Sequence, residues 1–270
     1  MRLALRITLA TGLALGLAGT ASAQEIDTHA RAPKHVEFEF DGPFGKYDRA
    51  ALQRGFQVYK EVCGACHSLS RIAFRNLTDA GGPGFSEAQA RALAAAAKVP
   101  AGPDAEGRTH DDNGEVITRP AILADYFPPP FANEEAARTA NNGALPPDLS
   151  LIIKARHHGD AYVYSLLTGF GENPPKGFTV AKDKHYNPYF PGWNIGMPPP
   201  LTKDGVPYAD GTPATIEQQA HDVVTFLAWA SEPKMEQRKQ MGFAVLIFLI
   251  AFAGVLGLAY KKVKAEYALK

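Results

Sequence analysis

Between Asp48 and Val62 the apolar positions recur with a period close to 3.6, at Ala51, Leu52, Phe56, Val58, Tyr59 and Val62. That spacing predicts an amphipathic helix, and Asp48 is a good N-cap for it. Upstream, residues 24–47 read as extended or irregular. Pro33, Gly42, Pro43 and Gly45 punctuate them, and Val36, Phe38 and Phe40 alternate as a short strand or apolar strap would. Downstream, residues 86–98 form an alanine-rich helix capped by Ser86, after the break at residues 81–84. Shorter helices are predicted over residues 133–138, 150–156 and 160–167, the last ending at Gly169. A final amphipathic helix is predicted from Ala214 to Ala230, with Thr212 as its cap and Glu232-Pro233 as its stop. Its apolar face, Ile216, Ala220, Val223, Val224, Phe226, Leu227 and Trp229, is expected to pack across the first helix.

Both ends of the chain carry membrane signals. Arg2 and Arg6 flank an apolar run that ends in Ala21-Ser22-Ala23, so residues 1–23 read as a signal peptide cleaved before Gln24. At the other end, residues 234–241 form a charged linker, residues 242–260 carry no charge, and residues 261–270 form a basic tail. At roughly 1.5 Å per residue the uncharged stretch just crosses a hydrocarbon layer of ~30 Å. The expected arrangement is an exported domain over residues 24–233, a single transmembrane helix over 242–260, and a short cytoplasmic tail. In a bacterium that places the domain in the periplasm and the helix in the inner membrane.

The first helix runs directly into Cys63-Gly64-Ala65-Cys66-His67. The pattern Cys-x-x-Cys-His is the attachment sequence for a c-type haem. Two cysteines three apart can each form a thioether to one porphyrin vinyl group, and the histidine after them becomes the proximal iron ligand. These are the two cysteines of the whole chain, so a four-thiolate zinc or iron–sulfur site is excluded. A redox-active dithiol is the alternative, but it has no need of the histidine and no βαβ pattern surrounds the pair.

A sixth ligand is sought further along. Met197 lies between Gly196 and three prolines, a stiffened loop suited to holding a weak thioether ligand on a metal. His157, His158, His185 and His221 are the competing candidates. Sulfur opposite imidazole gives a raised potential and favours electron transfer over oxygen chemistry.

Composition changes the picture in one respect. Of 28 basic and 28 acidic residues, two basic ones lie in the leader, and four basic and one acidic in the tail. The body therefore carries 22 basic against 27 acidic residues, which argues against nucleic acid and for a basic protein partner. Asp104, Glu106, Asp111, Asp112 and Glu115 concentrate that charge in one polar loop.

Several longer segments carry more specific patterns: DGPFGKY at 41–47, GFQVYKEVCGACH at 55–67, Arg119-Pro120 with DYFP at 125–128, NNGALPPDLS at 141–150, SLLTG at 165–169, NPYFPG at 187–192, Gly196-Met197, DGTPAT at 210–215 and Glu232-Pro233. Together they resemble the cytochrome c1 family, the haem subunits of ubiquinol–cytochrome c reductase (the bc1 complex). The resemblance implies a mainly α fold: a class I cytochrome c-like haem domain with long irregular insertions and one C-terminal transmembrane helix. It implies one haem c held by Cys63 and Cys66, with His67 and Met197 on the iron and Arg119 and Tyr126 near the propionates. It implies cytochrome b and the Rieske iron–sulfur protein as neighbours in a complex expected to be dimeric, and a soluble or tethered cytochrome c as acceptor. By itself such a chain is an electron carrier and not an enzyme. A free-standing membrane-tethered shuttle and a haem enzyme with an exchangeable sixth ligand are the other readings. The cysteine pair that some bacterial members add near the methionine is missing here, so the potential must rest on packing of the loop at 193–201.

Overall fold

A computed structural model describes residues 29–268. The expected leader, 1–23, lies outside the described residues. The first helix, α1 (Arg49–Glu61), starts where Asp48 accepts a hydrogen bond from the Ala50 amide at 3.0 Å. It passes at once into a 3-10 turn, Cys63–Ala65. Next come a second 3-10 turn (Phe74–Thr78) and α2 (Glu87–Ala95), opened by a reciprocal Ser86–Gln89 capping box. The helix predicted to reach residue 98 stops at Ala95, because Lys98–Pro100 is drawn into an antiparallel pair with Thr118–Pro120; these are β1 and β2. Helix α3 (Glu134–Ala140) is capped by Asn133, and α4 spans Gly159–Leu167. Strands β3 (His185–Tyr186) and β4 (Asn194–Ile195) pair antiparallel before α5 (Ile216–Ser231) and α6 (Met235–Ala268).

Two further expectations need correction. Residues 150–156 form turns, not a helix. The Asp148 carboxylate binds the Ser150 amide at 2.8 Å, and the chain then doubles back so tightly that a side chain at Gly159 would meet the Ile153 carbonyl at 1.8 Å. Thr212 does not cap α5, since its amide is held in a turn by Asp210. Thr215 is the cap, accepting from the Gln218 amide at 3.1 Å. Of the two readings of Phe38 and Phe40, the strap holds: they lie outside any strand and are buried in the core.

The core is the crossing of α1 and α5. Gly55 sits at the closest point, where an added Cβ would lie 2.0 Å from the backbone oxygen of Asp222. Around it Phe56 and Tyr59 of α1 meet Phe226 of α5 at ring separations of 5.7 and 5.9 Å. Phe127 joins them, 6.1 Å from Phe56 and 4.6 Å from Phe74. Helix α5 is buried on almost every side, and Asp222 with it. A buried carboxylate must be paired. Arg54 of α1 does this through two bonds of 2.8 and 3.0 Å, while its remaining amine reaches Asp210 at 2.8 Å.

Helix α6 follows after a three-residue break; Met235 is buried against the domain, but from Val245 onward its large apolar residues are exposed, and an 18-residue window of the helix has a mean hydropathy of 2.6. It is long and apolar enough to span a membrane. The stretch at 234–241 read as a linker supplies its first turns. Those turns are fastened to the domain: Glu236 accepts from the Tyr47 amide at 2.9 Å and from Arg49 at 2.8 Å.

Gly55→Ala is expected to cost roughly 1–3 kcal/mol or more, because backbone must move to admit the methyl group. Arg54→Leu, which strands the Asp222 carboxylate, is expected to cost about 3–5 kcal/mol. Denaturant midpoints of the purified protein check both, and an unchanged midpoint would contradict this packing.

Candidate haem site

Helix α1 delivers the motif. As the helix ends, the amides of Cys66 and His67 both turn back to the Cys63 carbonyl, at 3.1 and 2.8 Å. The turn places the two thiols on one short segment, not bonded to each other. Burial pushes the Cys63 thiol up to about 12, so it stays a neutral S–H. Were a haem bound here, each thiol would tether it by adding S–H across one porphyrin vinyl group, sulfur to one carbon and hydrogen to the other.

His67 is fixed from two directions. Its carbonyl accepts from the Tyr59 hydroxyl at 3.2 Å, and its Nδ1 lies 2.8 Å from the carbonyl oxygen of Pro147. A carbonyl can only accept, so Nδ1 carries the proton and Nε2 keeps its lone pair. Burial holds the imidazole below its ordinary value, against the opposing pull of the Pro147 carbonyl and Asp148. The ring is therefore neutral at pH 7 and able to bind a metal, oriented as ligating histidines are by a partner on the second nitrogen.

The Pro147 carbonyl is itself held in place by Asp148. That carboxylate accepts from the Ser68 hydroxyl at 2.7 Å, the Ser70 amide at 2.9 Å and the Ser150 amide at 2.8 Å. The Leu149 amide adds a bond to the Ser68 carbonyl at 2.9 Å. Residues 68–70 and 148–150 are thus zipped together beside His67. Burial raises the Asp148 carboxyl, but the serine donors outweigh it and bring it down to about 2.

Met197 is half-buried against the core. Its loop comes close to the histidine's support: Gly196 would place a Cβ 3.1 Å from the Ala144 side chain, three residues before Pro147. Strands β3 and β4 and a left-handed Trp193 (φ 58°) aim the loop. That conformation costs a non-glycine residue about 1–2 kcal/mol. It is offset by packing of the Trp193 ring on Phe178 and Tyr186, and by its indole N–H, which donates to the His29 carbonyl at 3.1 Å.

Of the competing histidines, His157 and His158 are exposed, His185 lies in β3, and His221 stacks on Phe38 at 4.7 Å.

Arg119 and Tyr126 lie on a different segment, which is bound to the chain just after the motif. The amides of Phe74, Arg75 and Phe127 bond to the carbonyls of Asp125, Leu123 and Ile72, and Tyr126 bridges Ala73. Arg119 makes a two-pronged pair with Asp125 at 2.6 and 2.8 Å, and the guanidinium holds the Asp125 carboxyl down at about 2. Tyr126 is 53% exposed. Asp125 and the Pro147–Asp148 pair have no assigned role in the sequence reading. The one signal for the latter is Asp-x-Ser after two prolines, an Asx-turn pattern.

The donor set fits a c-type haem: two thiols three residues apart, a neutral imidazole with one free nitrogen, and a thioether on a braced loop. Together with the α1–α5 crossing and the exposed apolar helix, it defines a membrane-anchored protein of the c-type cytochrome class. Comparison with known proteins narrows the class. A family model described as the Cytochrome C1 family matches residues 38–267, and the chain belongs to that family. It is 48% identical to "Cytochrome b/c1" of Bradyrhizobium diazoefficiens over 97% of this chain and 39% of that relative. Identity is also 48% to "Cytochrome c1 1, heme protein, mitochondrial" of Arabidopsis thaliana, over 94% of this chain and 78% of the relative. With "Cytochrome c1" of Rhodospirillum rubrum it is 45%, over 93% of both. The chain thus spans about two-fifths of the Bradyrhizobium relative and most of the other two.

The depressed Asp148 value has a pH consequence. Its folded pKa lies below the ordinary carboxylate value of about 3.9, so its stabilisation is complete above that value and lost as pH falls through about 2. Asp148→Asn should melt at a lower temperature than the unchanged protein at pH 7, with the gap closing as both are taken towards pH 2. A gap that persists in acid would contradict the role given to this carboxylate.

Proposed function

We propose that the chain is the membrane-anchored electron carrier of a ubiquinol–cytochrome c reductase, with one haem c bound through Cys63 and Cys66 and ligated by His67 and Met197. The observation that carries this reading is the His67 imidazole at the end of α1, neutral and tethered through Nδ1 to Pro147. When bound there, the haem supplies a one-electron couple. The chain's own residues do the rest. Cys63 and Cys66 tether the group, His67 presents Nε2, and Met197 is held ready by the braced loop behind Trp193. Arg119 and Tyr126 are the side chains assigned to the propionates. No residue of the site moves a proton or forms a bond to substrate during turnover, so the chain by itself is a carrier and not an enzyme.

The Rieske protein is the electron donor and a cytochrome c the acceptor in this reading. Cytochrome b is the neighbour in the membrane; the match to a relative named "Cytochrome b/c1" supports that pairing. The acidic loop supports a basic acceptor. Arg108 faces five carboxylates in this loop, pairing with Asp104 at 2.9 Å, Asp112 at 3.1 Å and Glu106 at 4.0 Å, so its single charge leaves a clear net negative excess on an exposed surface. Such excess charge steers encounter and makes it salt-sensitive. The domain belongs on the periplasmic side, with α6 crossing the bacterial inner membrane.

Met197→Leu tests the ligand set. The oxidised unchanged protein should show the sulfur-to-iron charge-transfer band in the far red. The variant should lose it and fall in potential by more than about 0.1 V, a part of the ~0.8 V that axial ligands span. A band missing from the unchanged protein, with ready carbon monoxide binding when reduced, would favour an open sixth position and a haem enzyme.

A further inference from the structure

We propose that the turn at residues 41–46 inserts Phe44 into the outer edge of a phospholipid bilayer. The domain then stands on the membrane at two points, α6 and this turn. The proposal rests on the reading of α6 as a membrane span.

Outside α6, Phe44 is the most exposed large apolar side chain among the described residues, at 77%. Its ring is not free in direction: it stacks on Phe243 with centroids 4.9 Å apart and planes within 11°. Phe243 is the fourth residue of the uncharged run that follows Lys239 and extends to Tyr260, so Arg238 and Lys239 lie about one turn above it. The stack therefore fixes the height of Phe44 at the step from charged to apolar helix, where the hydrocarbon layer begins. A phenyl ring held at that level is apolar surface in contact with lipid and not with water.

The turn cannot withdraw the ring. The Asp41 and Lys46 amides close it on the Phe38 and Glu39 carbonyls, each at 2.9 Å. Gly45 admits no side chain, because a Cβ would meet the Asp41 oxygen at 2.1 Å. From α6, Lys239 reaches across to the Phe40 carbonyl at 2.7 Å and the Gly45 carbonyl at 3.0 Å. Glu236 holds Tyr47 on the far side of the turn. Lys46 is exposed beside Phe44, placed for anionic headgroups. With the turn locked to the first turns of α6, a ring seated in lipid resists tilting of the whole domain.

In the holoprotein the haem occupies both native cysteines, so Phe44→Cys supplies a single free thiol for a spin label. The full chain is reconstituted into phosphatidylcholine–phosphatidylglycerol vesicles. Collision with oxygen, which concentrates in lipid, is compared with collision with a water-soluble nickel chelate. Leu246→Cys serves as the lipid reference and Asp112→Cys as the water reference. At position 44 oxygen collision should exceed nickel collision severalfold, as at 246 and opposite to 112. Dominant nickel collision at 44 would overturn the proposal, since the turn would then sit in water. Low collision with both would also overturn it, since protein would then cover the ring. Loss of the oxygen excess at 246 itself would instead remove the membrane span, and the proposal with it.

Discussion

The close crossing of α1 and α5 at Gly55 is the constraint on which the other parts depend. With no side chain there, two backbones meet, and Arg54 can reach a carboxylate buried inside the partner helix. One helix ends in the cysteines and His67; the other ends at the start of α6. The crossing therefore sets the Cys63–His67 segment at a fixed place relative to α6. The Tyr47 and Glu236 bonds at the joint stiffen that relation.

The remaining site parts come from segments without regular structure, and each is held by specific bonds where a helix would supply its own. Asp148 does for the Pro147 carbonyl what a helix cap does for a terminus. Gly196 against Ala144 joins the methionine loop to the same support. At the outer rim, residues 29–34 brace the corner that leads to Met197. Arg31 bonds to Glu172 and to the Pro188 carbonyl, Lys34 bonds to Thr168, and both cations lie over the Tyr189 ring. This chain has no cysteine pair in that region, so ion pairs and an indole hydrogen bond are what stiffen it.

The parts of the fold legible in the sequence are those governed by short-range rules. Asp48 and Ser86 announce α1 and α2 because capping is a matter of three or four neighbouring residues. Phe56 and Tyr59 read correctly as core, since the helical period assigns them a face. Residues 150–156 misled because Leu149, Ile152 and Ile153 have helical spacing, while the decisive bonds run to Ser68 and Ser70, some 80 residues away. At the start of α5, Thr212-Pro213 and Thr215 both offer a cap, and the Asp210 turn decides between them. Strands of two or three residues lie below what alternation can reveal. The candidate site divides in the same way. Cys63, Cys66 and His67 form a contiguous motif, and Met197 stands out by its prolines. Pro147 and Asp125 act through a carbonyl and a pairing that only the folded chain brings about.

The central claim is that the end of α1 is built to hold a haem covalently through two cysteines. The direct measurement is acid–acetone extraction of the purified full chain, followed by the reduced pyridine haemochrome spectrum of both fractions. The account predicts that the colour stays with the polypeptide. Its spectrum should be that of a porphyrin with both vinyl groups saturated, moving to the single-vinyl position in Cys66→Ser. Haem that passes into the solvent, or an unsaturated spectrum in the unchanged protein, would contradict it.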